Sequence, residues 1–518
     1  MSELEKRVRK KKLLDRVMKA EDTIKFFENG MDLGWSGFTP VGYPKKVPIA
    51  LADYVEENNL QGKLRFNLFI GASVGAETED RWASLDMIDR RWPYNTGKNI
   101  QKGINSGRIR FGSKHLSMFA QDLKYGFYTK DKGGKLDIGI IEASGITEDG
   151  GIILAGSVGA APEIVDIADK LIIEVNTKMP SFEGMHDVLI TDMPPHRQPY
   201  LITNVADRIG TTYIPCDHDK IVAIVESDLL DNGRELTEPD ELSNTIAGHI
   251  MDFFKNEVKV GRLPENLFPL QSGVGNIANA IVGGFVHGDF QNLNVYTEVL
   301  QDTMLDLFDS GKLDFASATS LSLSPKGFKR FFDKFEEYKE RIVLRPQQIS
   351  NNPEMIRRLG CIGMNTPVEF DIYAHANSEN VLGTRMINGL GGSGDFERNA
   401  YLSIMHAPSC RPSKNDEFGI TTVLPKVTHV DHTEHDIDIL VTEQGLADLR
   451  GLAPKERAQE VINKCAHPAY KDYLNDYLER ATKKGIEKGM GHEPQLLDEV
   501  YKMQLNFIEN GTMRFWEK

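Results

Sequence analysis

The stretch Leu270–Asp302, LQSGVGNIANAIVGGFVHGDFQNLNVYTEVLQD, carries the pattern on which the fold turns. It reads as a strand, a glycine turn, a helix and a second strand, followed by a carboxylate, Glu298, where that strand hands over to another helix. Strand, turn, helix and strand in one short run form the repeating unit of an α/β protein with a parallel sheet. In such a sheet Glu298 stands at the carboxyl end of a strand, the edge at which ligands bind.

The same alternation runs outward from this stretch in both directions. From Arg65 onward the segments RFNLFIGASVG, KLDIGIIEAS, GIILAGSVGA, KLIIEVN and KIVAIVE are almost continuously apolar, as strands covered on both faces must be. Residues 227–241, SDLLDNGRELTEPDE, are polar and broken by Gly233 and Pro239, which is linker composition. The alternation then restarts with NLFPLQS and continues through KLDFASATS and DIDILVT, and beyond Pro454 the pattern turns helical. The expectation is an α/β chain of two related domains, residues 1–226 and 242–518, joined by 227–241, with a helical C-terminal end. The N-terminus, MSELEKRVRKKKLLDRVM, reads as the start of an amphipathic helix.

Composition narrows the function. With 518 residues, 40% hydrophobic and 26% charged, usage is that of an ordinary globular chain. A net charge of −15 argues against a nucleic-acid partner, because neutralising phosphates takes clustered Lys and Arg. Cys216, Cys361, Cys410 and Cys465 are widely spaced and suggest buried thiols rather than a disulfide framework or zinc ribbon. The N-terminus mixes acids with its basic residues and has no apolar signal core, and no run approaches the ~18 apolar residues of a membrane span. A cytoplasmic location and no membrane partner are expected.

Several motifs carry chemistry. Gly273, Gly275 and Ala278 fit G-x-G-x-x-[GA] between a strand and a helix, with Glu298 at the distance of a ribose-binding acid. GLGGSG, Gly389–Gly394, matches the same pattern without a clear preceding strand. Such turns serve equally as structural junctions, or as backbone N–H sites for an anion or oxyanion, and no P-loop signature occurs. Glu298 itself is either a favourable first-turn residue facing a helix dipole or an ionised nucleophile that needs no base partner. THVDHTEHD, Thr428–Asp436, gathers His429, His432 and His435, either as metal ligands or as a hydrogen-bonded turn.

Longer motifs are more specific. SGFTPVGYPKKVP, QSGVGNIANA, YTEVLQD, RPQQISNNPE, NGLGGSGDFERNAYLS and HVDHTEHDIDILVTEQGLADLRGLAPKERA together resemble the acetyl-CoA hydrolase/transferase family, most closely the succinyl-CoA:acetate type of class I CoA-transferase, over nearly the whole chain. The resemblance implies two α/β domains facing each other across an active-site cleft, commonly as a homodimer. It implies Glu298 as nucleophile, the Val274 and Gly392 amides as oxyanion donors, and Asn351 and Glu443 as orienting residues. It further implies Ser73, Arg234, Gly273, Gly275, Asn388 and Lys414 as contacts to substrate or coenzyme A. No cofactor or metal is implied, since coenzyme A is a substrate held transiently on Glu298; the partners are acyl-CoA and short carboxylates. Transfer of CoA between a short acyl-CoA and a free acid is ranked first. Hydrolysis by the same glutamate is the alternative, and a nicotinamide oxidoreductase or a metallohydrolase is remote.

Overall fold

The structure, a computed structural model, describes residues 2–72, 75–233 and 238–516. Among these, the N-terminal half contributes β1 (Asp32–Trp35), β2 (Phe66–Ile70), β3 (Ile88–Trp92), β4 (Arg110–Phe111), β5 (Leu136–Ile146), β6 (Ile152–Leu154), β7 (Ala168–Asn176) and β8 (Ile221–Ser227). They form one sheet in the order β4-β3-β2-β1-β5-β7-β8, parallel throughout, with β6 antiparallel beside β5. β5 is buried at every position but one, which accounts for its unbroken apolar sequence. The helix Ala161–Ile167 lies close on β1, and a Cβ added at Gly34 would come within 2.6 Å of Ile164 Cγ2.

The C-terminal half contributes β9 (Leu293–Tyr296), β10 (Leu313–Ala318), β11 (Ile342–Leu344), β12 (Ile362–Asn365), β13 (Leu402–His406), β14 (Ile439–Thr442) and β15 (Gly445–Asp448). These pair as β11-β10-β9 and β12-β13-β14-β15, parallel except for β15. One residue, Leu270, bridges to Val295 of β9 and to Ile362 of β12, joining the two sets. The strand expected over NLFPLQS is thus reduced to a single-residue junction. Pro269 lacks the N–H a longer ladder needs and takes part only as acceptor for the Ile362 N–H at 2.9 Å.

Two further expectations are corrected. Glu298 does not open a helix: it follows β9, precedes the short pairing of Val299–Leu300 with Ser320–Leu321, and the helix begins at Asp302. Its backbone carbonyl accepts from the Thr319 and Ser320 amides at 2.9 and 3.1 Å, so the helix-dipole explanation of this residue fails. The N-terminus is not one amphipathic helix but a short helix, Glu3–Arg7, and a 3-10 turn, Lys11–Arg16. Val8 and Val17 between and beyond them bridge to Ile146 and Ile224; pairing with the sheet wins over helix continuation. The C-terminal helices form at Pro454–Cys465, Pro468–Glu487 and Lys502–Asn510. No helix of the described residues is long and apolar enough to cross a membrane.

The halves are not separately packed. A single buried apolar cluster runs from Leu4, Phe119 and Ile141 through Leu270, Val295 and Leu344 to Ile404 and Val441. Backbone bonds cross between them, from Val158 N to Thr319 O (2.9 Å), Leu321 N to Gly156 O (3.0 Å) and Gln347 N to Gly159 O (3.0 Å). The motif around Lys45 ties in residue Asp231 of the segment read as a linker. Buried Lys45 Nζ pairs with Glu142 at 2.8 Å and Asp231 at 2.7 Å, and Glu174 accepts the Lys45, Lys46 and Val47 amides.

Arg345 directly follows β11, and its N–H donates to Ala318 O at the end of β10 at 2.7 Å. Fully buried, it pairs with Asp187 and donates from Nε to Ser317 Oγ at 2.8 Å. Removing one partner of such a pair strands the other in low dielectric. Arg345→Leu is expected to cost about 3–5 kcal/mol, read as a lowered thermal midpoint in differential scanning calorimetry; an unchanged midpoint would show that the pair is dispensable.

Candidate active site

The site is assembled where the carboxyl ends of both strand systems meet. Leu270 is fixed between β9 and β12, so the chain leaving it, Gln271–Gly275, is delivered to the carboxyl edge. Gly275, with φ +120°, turns this loop into the helix Asn276–His287. β9 ends beside it and presents Glu298. The loop 388–392 leads into the short helix Ser393–Glu397, with Gly392 as its N-cap.

A cavity of about 310 Å³ opens here. Phe38, Ala72, Tyr94 and Leu116 of the N-terminal half face Gly273, Val274, Glu298, Asn365, Asn388 and Gly392 of the C-terminal half across it. Among the described residues on its walls, Glu298 is the only carboxylate, and there is no histidine, lysine or arginine. Neither the Val274 nor the Gly392 N–H has an acceptor among the described residues, so both remain available to an anionic oxygen.

Glu298 Oε1 accepts a hydrogen bond from Asn351 Nδ2 and lies directly against the Gly392 backbone. A Cβ added at Gly392 would overlap Glu298 Oε1 and Asn351 Nδ2; only glycine fits. Burial pushes the Glu298 carboxyl up to about 7, opposed by the Asn351 donor. Behind it lies a second carboxylate, Asp395, which is 4% exposed and accepts from Ser117 N at 3.0 Å and Ser117 Oγ at 2.5 Å. Burial raises Asp395 to about 7 also, countered by Ser117 and reinforced by the charge of Glu298.

The residues singled out from sequence divide into three groups, apart from Gly275, which turns the loop into its helix without lining the cavity. Gly273, Val274, Glu298, Asn388 and Gly392 line one cavity, and Asn351 touches Glu298. Glu443, at the end of β14, is not on the cavity wall; its carboxylate accepts from Ser409 N at 2.8 Å and from Ser409 Oγ. Lys414 is exposed on the loop between the paired segments Cys410–Arg411 and Ile420–Thr421, likewise off the wall. Ser73 and Arg234 lie outside the described residues.

The three histidines do not converge as a ligand set. His429 Nε2 faces Glu379 and Asp431, His435 faces Glu434, and buried His432 sits 3.1 Å from both Ser378 and Ser393 with burial lowering it to about 4. Two acid–histidine groups, Glu379–His429–Asp431 and His375–Glu434–Glu493, bring ligand atoms within 4.8 Å of one another. Sequence reasoning missed Asp395, Ser117, Tyr94 and Gln301, although Asp395 and Gln301 stand inside motifs already quoted.

Comparison with known proteins follows the same outline. Residues 1–226 match the acetyl-CoA hydrolase/transferase N-terminal domain, and residues 327–478 match the C-terminal domain. The chain is 63% identical to the acetyl-CoA hydrolase of Schizosaccharomyces pombe over 492 residues, 95% of this chain and 94% of that protein. It belongs to the acetyl-CoA hydrolase/transferase family. The Saccharomyces cerevisiae acetyl-CoA hydrolase is 59% identical over 518 residues, covering 99% of this chain and 98% of that one. Among solved structures, RipA from Yersinia pestis superposes with TM-score 0.69 at 21% identity, covering 90% of this chain and 98% of that chain. 4-Hydroxybutyrate CoA-transferase from Porphyromonas gingivalis gives TM-score 0.61 at 18% identity, over 91% and 99%. Both share this α/β fold. The chain is therefore an enzyme of this family.

Three outcomes follow from the geometry. With Glu298 in the nucleophile role that the family resemblance implies, the ionised form is required and burial raises this carboxyl, so the kcat/KM profile for an acyl-CoA is expected to rise with pH through a midpoint near 7. Asn351→Ala removes the bond that favours the ionised form and moves the midpoint upward; a downward shift would contradict the assignment. Gly392→Ala is expected to leave the fold intact but displace the carboxylate, lowering turnover by about 10²-fold, checked by steady-state kinetics beside a thermal melt.

Proposed function

We propose that this protein cleaves the thioester of acetyl-CoA, or a related short acyl-CoA, through covalent chemistry at Glu298. The observation that carries this reading is one half-buried carboxylate packed on the Gly392 backbone, within a cavity that offers two unengaged amides. Glu298 attacks the acyl carbonyl, and the tetrahedral oxyanion is held by the Val274 and Gly392 N–H groups. Collapse expels the CoA thiolate and leaves an acyl-glutamyl anhydride. The thiolate then attacks the glutamyl carbonyl, releasing the free acid and leaving a glutamyl-CoA thioester.

The acceptor decides the outcome. Water attacking either covalent form regenerates the Glu298 carboxylate and completes hydrolysis, the activity after which the relatives at 56–63% identity are named. Those names favour hydrolysis over the transfer ranked first from sequence. Transfer keeps one specific support: the described cavity walls hold no base other than Glu298 to activate water, whereas an incoming carboxylate needs none. That carboxylate attacks the glutamyl-CoA, passes through its own anhydride, and departs as the CoA ester.

The test is intact mass after incubation with acetyl-CoA and no acceptor. An adduct equal to CoA minus water, mapped to Glu298 and absent in Glu298→Ala, is expected. Discharge by acetate or succinate with formation of the new CoA ester identifies transfer. Free thiol released at the same rate with and without added carboxylate identifies hydrolysis. Turnover retained in Glu298→Ala would sink both.

A further inference from the structure

An oxyanion donor works only if its N–H is aimed, and a loop rich in glycine does not aim itself. The peptide that supplies the Val274 N–H also contains the Gly273 carbonyl. In a planar trans peptide these two groups point to opposite edges, so whatever holds the carbonyl sets the direction of the N–H. The Gly273 carbonyl accepts from Gln301 Nε2 at 3.0 Å and, at a longer 3.3 Å, from Ser272 Oγ. The preceding peptide is fixed by Gly273 N to Met364 O at 2.9 Å.

We propose that Gln301 is a positioning residue for the oxyanion site: by holding the Gly273 carbonyl, its side-chain amide turns the Val274 N–H toward the reacting oxygen. The inference rests on the reading of Glu298 as nucleophile and Val274 as oxyanion donor, and deepens it. Gln301 is 8% exposed and precedes the helix Asp302–Asp309, yet its side chain makes no capping bond to that helix. Its own carbonyl accepts from Met304 N at 2.9 Å, which anchors the base of the side chain. The amide is therefore free of local duty and committed to the loop.

The placement has a mechanical meaning. Glu298 and Gln301 lie three residues apart on one segment, held between them by the pairing of Val299–Leu300 with Ser320–Leu321. The segment that presents the nucleophile thus also orients the donor that stabilises its product, so the two move as one body. A neutral amide does this without adding a cation beside the carboxylate, which would weaken it as a nucleophile. The other wall of the loop is held separately, by Gln271 Nε2 to Asn365 Oδ1 at 3.0 Å and Asn365 Nδ2 to Glu397 Oε1 at 2.5 Å.

The test compares wild type with Gln301→Leu, which removes the donor, and Ser272→Ala, which removes the longer contact. With acetyl-CoA as substrate, Gln301→Leu is expected to lower kcat by about 10–10²-fold while KM stays within about twofold and the thermal midpoint is unchanged. Single-turnover formation of the Glu298 adduct, followed by intact mass, should slow by the same factor. Ser272→Ala should lose much less. If Gln301→Leu does not fold, Gln301→Glu keeps the shape, sets an acceptor against an acceptor, and should show the same split. An adduct that forms as fast on the Gln301 variant as on wild type overturns the inference and leaves the Glu298 reading standing, as does a loss confined to KM or matched by a fall in thermal midpoint. Wild type that consumes acetyl-CoA without any adduct overturns the Glu298 reading itself, and the inference with it.

Discussion

The contact between the Glu298 carboxylate and the Gly392 backbone sets the terms for the rest of the molecule. Glu298 Oε1 fills the space a side chain at position 392 would occupy, which brings this carboxylate and the backbone at Gly392 to the same point from different parts of the chain. Placing a carboxylate there removes it from water, and ionisation becomes harder. Asn351 returns part of that cost, and Asp395, anchored by Ser117, adds a second buried carboxylate behind it. The described walls of the pocket offer charge backbone dipoles and amides rather than cations, and such groups cost no reorganisation as charge moves. Its walls accordingly hold glycine loops and apolar side chains from both halves.

Much of this was legible in the sequence, and the reasons are specific. β5, β7 and β8 announced themselves because strands covered on both faces must be apolar at nearly every position. The pattern alone puts Glu298 at a strand's carboxyl end, where it stands just after β9, and the two glycine loops it marks border the cavity. What failed were features decided by pairing across long sequence distances. NLFPLQS has strand composition, but with Pro269 inside it one residue, Leu270, is left to pair. The N-terminal segment has helical periodicity, but Val8 and Val17 find partners on the sheet.

The site itself shows the same division. Asn351 was matched by motif and stands against Glu298. Glu443, matched by motif, and Lys414, on a loop that matches less closely, do not line the cavity, because a motif records a segment and not the direction it faces. THVDHTEHD looks like a ligand cluster in one dimension, yet its histidines turn to different acids and serines. Asp395 gave no signal because its partner, Ser117, is 278 positions away. Gln301 was hidden for another reason: its significance lies in a carbonyl on a neighbouring loop, and backbone acceptors leave no trace in a sequence.

The continuous apolar core has a consequence for how substrate enters. Two α/β units that share one buried cluster and exchange backbone hydrogen bonds cannot hinge apart as independent bodies without exposing that cluster to water. Rocking of the halves to admit a substrate would carry that cost. Movement of the loops that border the cavity, where side chains are few, would not. Access and chemistry therefore draw on the same glycines, and stiffening those loops to sharpen the one would slow the other.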